Sequence, residues 1–167
     1  HGDGLLDNYI PNHGVSYQSC ISVPLLIRYP TQHRQIRIKN PVTLLDLIPT
    51  IYQMIGINTK NIIDNTTVTR NTRQGFIPLL INNTYNITYL LGTNDDSIYV
   101  RYHEIKLIIF EDNHKELYNI TADPHENNNI AREYPETVKE LSTVATAYKI
   151  ETQKIITSLG ERIRKGE

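Results

Sequence analysis

The sequence predicts an α/β chain in two parts. Residues 1–80 read as the edge of a large mixed α/β sheet that is incomplete within this chain. Residues 81–167 read as a small C-terminal antiparallel α+β subdomain with a long terminal helix. Three observations carry this. A β-branched apolar run, Ile21 to Tyr29, stands beside a single helical pattern over 43–54, and one strand with one helix cannot cover both faces of a sheet. Three strand-like runs between 88 and 110 are separated by short polar turns, as in a meander. After Pro135, Val138, Leu141, Val144, Ala145, Tyr148, Ile155 and Leu159 recur at helical spacing.

Each element follows from local chemistry. Gly2, Gly4, Pro11 and Gly14 make the first 20 residues a loop. Ile21 to Tyr29 is a buried strand stopped by Pro30, with Pro24 at its start or at an irregularity. Val42, Leu45, Ile48, Tyr52 and Ile55 lie on one helical face over Thr43 to Met54. Pro41 suits its first turn and Gly56 its C-terminal cap, and Pro49 kinks it or weakens its first half. Residues 58–75 are rich in Asn and Thr and form an exposed loop. Thr88 to Leu91, Ser97 to Tyr102 and Lys106 to Phe110 are the meander strands, with a short fourth over Glu116 to Tyr118. Ala122 to Asn129 is a turn, Pro135 opens the last helix, and the charged tail from Glu161 frays.

Composition narrows the function classes. The chain has 167 residues and 19.3 kDa, enough for a core without covalent staples. Seventeen basic and eighteen acidic residues give a net charge of −1, so no electrostatic case for nucleic acid arises. No apolar run approaches the roughly 18 residues of a membrane span. One cysteine excludes an internal disulfide and a multi-cysteine metal site. The chain opens at His1 without Met or signal sequence, which reads as processing, truncation or a piece of a longer protein. Asn65, Asn82, Asn86 and Asn119 head Asn-x-Thr sequons, which have meaning only on a eukaryotic secretory route.

Five segments, in order, resemble the C-terminal part of sulfatases, members of the alkaline-phosphatase-like superfamily. His1-Gly-Asp3 resembles the end of that family's Ser-Asp-His/Asn-Gly metal loop. His13-Gly-Val-Ser-Tyr17 followed by Ser22-Val-Pro-Leu-Leu-Ile-Arg-Tyr-Pro30 resembles its Lys/His-Gly-x-x-Tyr-Glu-Glu segment and the Arg-Val-Pro-Leu-Ile that follows. Val42-Thr-Leu-Leu-Asp-Leu-Ile-Pro-Thr50 with Gly56-Ile57 is similar to its Val-x-Leu-x-Asp-Leu-x-Pro-Thr helix. Gly75-Phe-Ile-Pro-Leu-Leu80 is similar to its Gly-x-Ser-Leu-x-Pro-Leu-Leu stretch. Tyr102 to Phe110, Glu116-Leu-Tyr-Asn119 and Ala122-Asp-Pro-His-Glu126 with Asn129-Ile-Ala131 resemble its closing strands and Asp-Pro-x-Glu-x-x-Asn-Leu-Ala turn.

The resemblance implies an alkaline-phosphatase-like fold that hydrolyses sulfate esters at a divalent metal, calcium by family habit, with manganese or zinc also compatible with a His ligand. It implies a formylglycine nucleophile in the missing N-terminal half, which is a required partner, so the isolated chain is inactive. The nucleophile's Cys/Ser-x-Pro-x-Arg motif is not in this sequence, since Cys20-Ile-Ser-Val-Pro24 has the wrong spacing and Cys20 reads as a small buried residue. His1 stands at a metal-ligand position; without the resemblance it is a frayed terminal residue. His13 stands where relatives have a sulfate-binding Lys or His, implying a cationic contact or general acid; otherwise it is a polar loop residue. Gln18-Ser19 replace the family's Glu-Glu, and Ser22 its Arg. Asp3 reads as a turn residue, Asp46 as a local cap or pair, Asp95-Asp96 as a turn, and His33, His103, His114 and His125 as surface residues.

Two other readings share these residues: a non-catalytic pseudo-enzyme or interaction remnant, and a phosphodiesterase or phosphonate monoester hydrolase. The implied location is the secretory pathway, lysosome or exterior in a eukaryote, and the periplasm or cytoplasm in a bacterium.

Overall fold

The computed structural model describes Gly2 and residues 14–28, 35–57, 89–94 and 96–165. The elements in chain order are α1 (Gln18–Ile21), a 3₁₀ turn (Leu44–Asp46), α2 (Leu47–Met54), β1 (Leu90–Thr93), β2 (Ser97–Tyr102), β3 (Ile105–Phe110), β4 (Lys115–Asn119) and α3 (Pro135–Lys165). The four strands form one antiparallel sheet in the order β1-β2-β3-β4, the meander that the turn spacing predicts.

Turn chemistry sets the register. Tyr102 pairs with Ile105 across a two-residue turn in which His103 takes φ 51. Between β1 and β2, Asn94 Oδ1 accepts from the backbone N–H groups of Asp96 and Ser97 at 3.0 and 2.7 Å. Between β3 and β4, Asp112 Oδ1 accepts from His114 N–H, and Asn113 supplies a φ of 65.

Both faces of this sheet are covered. Leu91, Ile98, Val100, Leu107 and Leu117 form one cluster with Leu141 and Ala145 of α3. The alternate residues Ile108 and Tyr118, with Ile120, form a second cluster on the other face, joined by Tyr17, Tyr99 and Phe110. Double coverage explains why Leu107-Ile-Ile109 reads as a continuous apolar run rather than an alternation. Gly92 stands opposite Tyr99. A Cβ there would lie 2.5 Å from the Tyr99 ring, so only glycine lets that ring lie across β1.

Several expectations need correction. The described part of the Ile21 to Tyr29 run is not a strand: Ile21 ends α1, and residues 22–28 are irregular and exposed, with Leu26 90% exposed. An apolar run becomes a strand only where another strand pairs with it, and none does among the described residues. The large mixed sheet is likewise not seen among them. The helix over 43–54 is shorter than its pattern. Its first turn is 3₁₀, which places Pro49 inside the first turn of α2, where a missing N–H matters least. Its expected inner face is largely outside, with Ile48 and Ile55 56% and 64% exposed. Asp46 is fully buried and precedes α2; its side chain does not cap that helix, and its carbonyl accepts from Thr50 Oγ1. β1 begins two residues later than the pattern suggests. The tail from Glu161 continues as helix to Lys165. The exposed loop over 58–75 and the Gly75 to Leu80 stretch lie outside the described residues.

Candidate functional site

His1, His13 and Asp3 lie outside the described residues, as does His33. The residues following the two histidines, Gly2 and Gly14, are described. Gly14 has φ 98, a backbone that side-chain-bearing residues rarely adopt, which accounts for glycine at that point of the motif. Gly2 N–H donates to the Cys20 carbonyl at 2.7 Å, so the chain just after His1 meets the helix that follows His13.

Three successive residues of that segment are fixed to the second face of the sheet. Ser16 Oγ lies 2.8 Å from Ser97 Oγ and accepts from Asn94 Nδ2 at 3.3 Å. Tyr17 Oη donates to Glu116 Oε2 at 2.8 Å. Gln18 N–H donates to Glu126 Oε2. Cys20 is fully buried beneath them, as its size and polarity predict.

Glu116 gathers three donors. Tyr17 and Tyr118 hydroxyls reach Oε2, the latter at 3.0 Å, and His114 Nε2 lies 3.1 Å from Oε1. The two phenol rings meet edge-on at 6.4 Å. Burial, then the neighbouring Glu116 carboxylate, pushes both phenols well above the ordinary tyrosine range, so both hydroxyls remain donors.

Glu126 carries the other anchor. Its Oε1 accepts from Lys106 Nζ at 2.6 Å, and the two side chains are 1% and 0% exposed. Lys106 pairs with Tyr118 on one side and Arg101 on the other, and its ammonium lies 5.7 Å from the Tyr99 ring centroid. Burial pulls the lysine down to about 8, against the opposing pull of Glu126. A buried ammonium is tolerable only with a fixed counter-charge, and the turn supplies it.

That turn is knit by its own polar residues. Asn119 Oδ1 accepts from Thr121 and Ala122 N–H, each at 3.1 Å, and Asp123 Oδ2 from Asn128 N–H at 2.8 Å. Asn129 Oδ1 accepts from Leu117 N–H at 3.0 Å and Ala131 N–H at 2.9 Å, which ties the turn to β4. Glu126 itself takes φ 55. The Asp-Pro-x-Glu-x-x-Asn spacing thus closes a turn, presents a carboxylate inward and fastens the end to the sheet.

The arrangement clamps a loop. Among the described residues, no three of His, Cys, Asp or Glu converge so as to hold a cation. Those residues alone make no metal site, and His1 and Asp3 lie outside them. His103 and His125 are exposed, as expected for surface residues, and His114 is exposed but paired with Glu116. Asp96 lies in an exposed bend. Sequence reasoning gave Lys106 no role and marked Glu116 and Glu126 only as members of family-like segments. A lysine inside an apolar strand run was the available signal. Among the described residues no helix is long and apolar enough to cross a membrane.

Comparison with known proteins bears on this clamp. A curated N-acetylgalactosamine-6-O-sulfatase of Bacteroides thetaiotaomicron is 43% identical over 44 residues, 26% of this chain and 9% of the relative. A solved chain from work on glycosaminoglycan metabolism by Bacteroides thetaiotaomicron is 21% identical with a TM-score of 0.46, over 63% of this chain and 24% of that one. Another, solved in complex with its substrate D-glucosamine-2-N,6-O-disulfate, is 24% identical with a TM-score of 0.46, over 65% of this chain and 23% of that one. The chain therefore spans less than a quarter of each of these relatives. The family model described as N-sulphoglucosamine sulphohydrolase, C-terminal, matches residues 12–151, a range that holds α1, the sheet and the clamping turn. The chain belongs to that family of sulfatase C-terminal domains.

Proposed function

We propose that this chain is the C-terminal part of a sulfatase that hydrolyses sulfate esters of an amino sugar, with the nucleophile and most metal ligands supplied by sequence outside it. The observation that carries this reading is the family match over residues 12–151, which includes His13 and the clamped segment after it. The names of the matching family and of the curated relative both specify a sulfated hexosamine, on nitrogen in the first and on O6 in the second, and the second supports the ester.

In this reading His13 contacts the sulfate and protonates the departing sugar oxygen as the ester S–O bond breaks. An imidazolium near neutral pH suits that transfer. His1 would hold a divalent metal as one of its ligands, calcium in the first instance and manganese or zinc otherwise, and the chemistry such an ion would supply is polarisation of a sulfuryl oxygen. A formylglycine outside this chain is the nucleophile.

The test is an assay of the complete protein on 6-O-sulfated N-acetylgalactosamine, with the matching phosphate ester as competitor. Sulfate release is expected, lost in EDTA and restored by calcium. His13→Ala should lower kcat on the order of 100-fold, with His33→Ala as control. His1→Ala should raise the calcium concentration needed for half-activity. The 167-residue chain alone should release no sulfate. Preference for the phosphate ester, or equal kcat in the two histidine variants, would sink the reading.

A further inference from the structure

We propose that Asn119 carries an N-linked glycan whose first sugars lie along an exposed aromatic row at the end of the sheet. The inference concerns passage through a eukaryotic secretory route and does not depend on the activity of the complete protein.

Asn119-Ile-Thr121 is the one of the four Asn-x-Thr sequons that lies among the described residues. Asn119 ends β4 and is partly buried, while Thr121 and Ala122 just beyond it are exposed. Its Oδ1 accepts from the N–H groups of Thr121 and Ala122, each at 3.1 Å. Both turn bonds end on the oxygen, whereas the atom that a glycan modifies is the nitrogen. In that step Nδ2 bonds to the anomeric carbon of a sugar carried on a polyprenyl pyrophosphate. Nδ2 gives up one proton, and the pyrophosphate leaves. The amide keeps its carbonyl oxygen as an acceptor, so the turn survives the modification.

The neighbours of Asn119 give the glycan a surface to lie on. Asn119 pairs with Ile105 across β4 and β3, and Ile105 pairs with Tyr102 across β3 and β2. Alternation places Asn119 on the same face of the sheet as Leu117, the face that α3 covers further along. Tyr102 is followed by Tyr89, their ring centroids 5.3 Å apart. Tyr102 is still 41% exposed, so α3 leaves this end of the face open. Asn119, Ile105, Tyr102 and Tyr89 thus form a row across the sheet, with the sequon at one end and two aromatic rings at the other. Tyr102 stands two strands from Asn119, about 10 Å at the usual spacing, within reach of the first sugars on its side chain. The C–H faces of a pyranose carry slight positive charge and suit the negative face of a tyrosine ring. Stacking there also takes exposed aromatic surface out of water.

The test begins with the protein isolated from its own source. Mass spectrometry of peptides that contain Asn119 should show a hexosamine-bearing adduct, removed by N-glycanase with conversion of the asparagine to aspartate. In the complete protein from a eukaryotic secretory host, Thr121→Ala and Asn119→Asp should each abolish the adduct, and Asn119→Asp keeps the oxygen that the turn uses. Loss of the glycan by either route should lower the melting temperature by about 2 °C or more. Tyr102→Ala should lower it further in the glycosylated protein than in the Thr121→Ala background, while Tyr102→Phe should match its parent in both. An unmodified Asn119 in the source protein overturns the site. A modified Asn119 whose glycan is lost without change in melting temperature, or equal effects of Tyr102→Ala in the two backgrounds, overturns the stacking on the aromatic row.

Discussion

Lys106 is fully buried with its ammonium 2.6 Å from Glu126, and burial still outweighs that partner in pulling it down to about 8. An unfolded lysine titrates near 10.4. Below about pH 8 both states are protonated and the burial penalty is fully present. Between about 8 and 10.4 the unfolded chain holds more protons, so the contribution of this group to stability rises with pH. The window corresponds to roughly 3 kcal/mol. Urea midpoints of wild type and Lys106→Met, compared at pH 7.5 and 10, should show wild type gaining on the variant as pH rises. A constant difference would mean that Lys106 keeps its proton throughout. Little of this pair was legible in the sequence. Period-two alternation turns Lys106 away from the α3 side, onto a face that one strand pattern presents as solvent. What covers that face is Tyr17 and its neighbours, joined to Glu116 and Glu126 over some 100 residues of sequence. Local patterning carries no information at that separation. The family spacing did mark Glu126 as a fixed feature of its turn, though not its partner.

Elements were legible where their stabilising contacts are near in sequence. β2 spans Ser97–Tyr102 and β3 and β4 extend only a residue or so beyond their patterns, because hairpins pair with what adjoins them. α3 packs Leu141 and Ala145 on the sheet, as its periodicity predicts, but its later residues Ile150, Ile156 and Ile163 are 52%, 57% and 75% exposed. A helix of 31 residues is about 46 Å long and overruns strands of at most six residues. Its second half therefore has little to pack on, and truncation after Lys154 should shift the melting temperature of the meander by only a few degrees. A collapse of the transition would show that the overhang is needed for the fold. β1 tests the opposite case. Gly92→Ala forces a methyl into the Tyr99 ring, so it should cost about 1–3 kcal/mol. Tyr99→Ala/Gly92→Ala should lose less than the sum of its single changes, since Tyr99→Ala removes the ring that obstructs the new methyl at position 92. Strict additivity would show that the ring moves aside freely.

At the scale of the molecule, coverage is uneven. The meander is closed on one face by α3 and on the other by residues 14–21, whereas residues 22–28 and 35–57 leave large apolar side chains uncovered. Leu44, Ile48, Ile51 and Ile55 recur at helical spacing on α2 and its entry turn, and are 62%, 56%, 42% and 64% exposed. Leu25, Leu26 and Ile27 add a second uncovered stretch. Such surfaces belong against another layer, as the expectation of a larger sheet anticipates. The isolated chain should therefore self-associate and bind a dye specific for apolar surface. Ile48→Lys/Ile51→Lys should reduce dye binding without lowering the melting temperature of the meander, because these residues support nothing in it. In the complete protein a cysteine placed at Ile51 should resist thiol labelling, while one at the exposed turn residue Glu104 should react freely. A 167-residue chain that sediments as a sharp monomer and binds no dye, or an Ile51→Cys that labels as fast as Glu104→Cys in the complete protein, would show that this face is solvated in the working molecule.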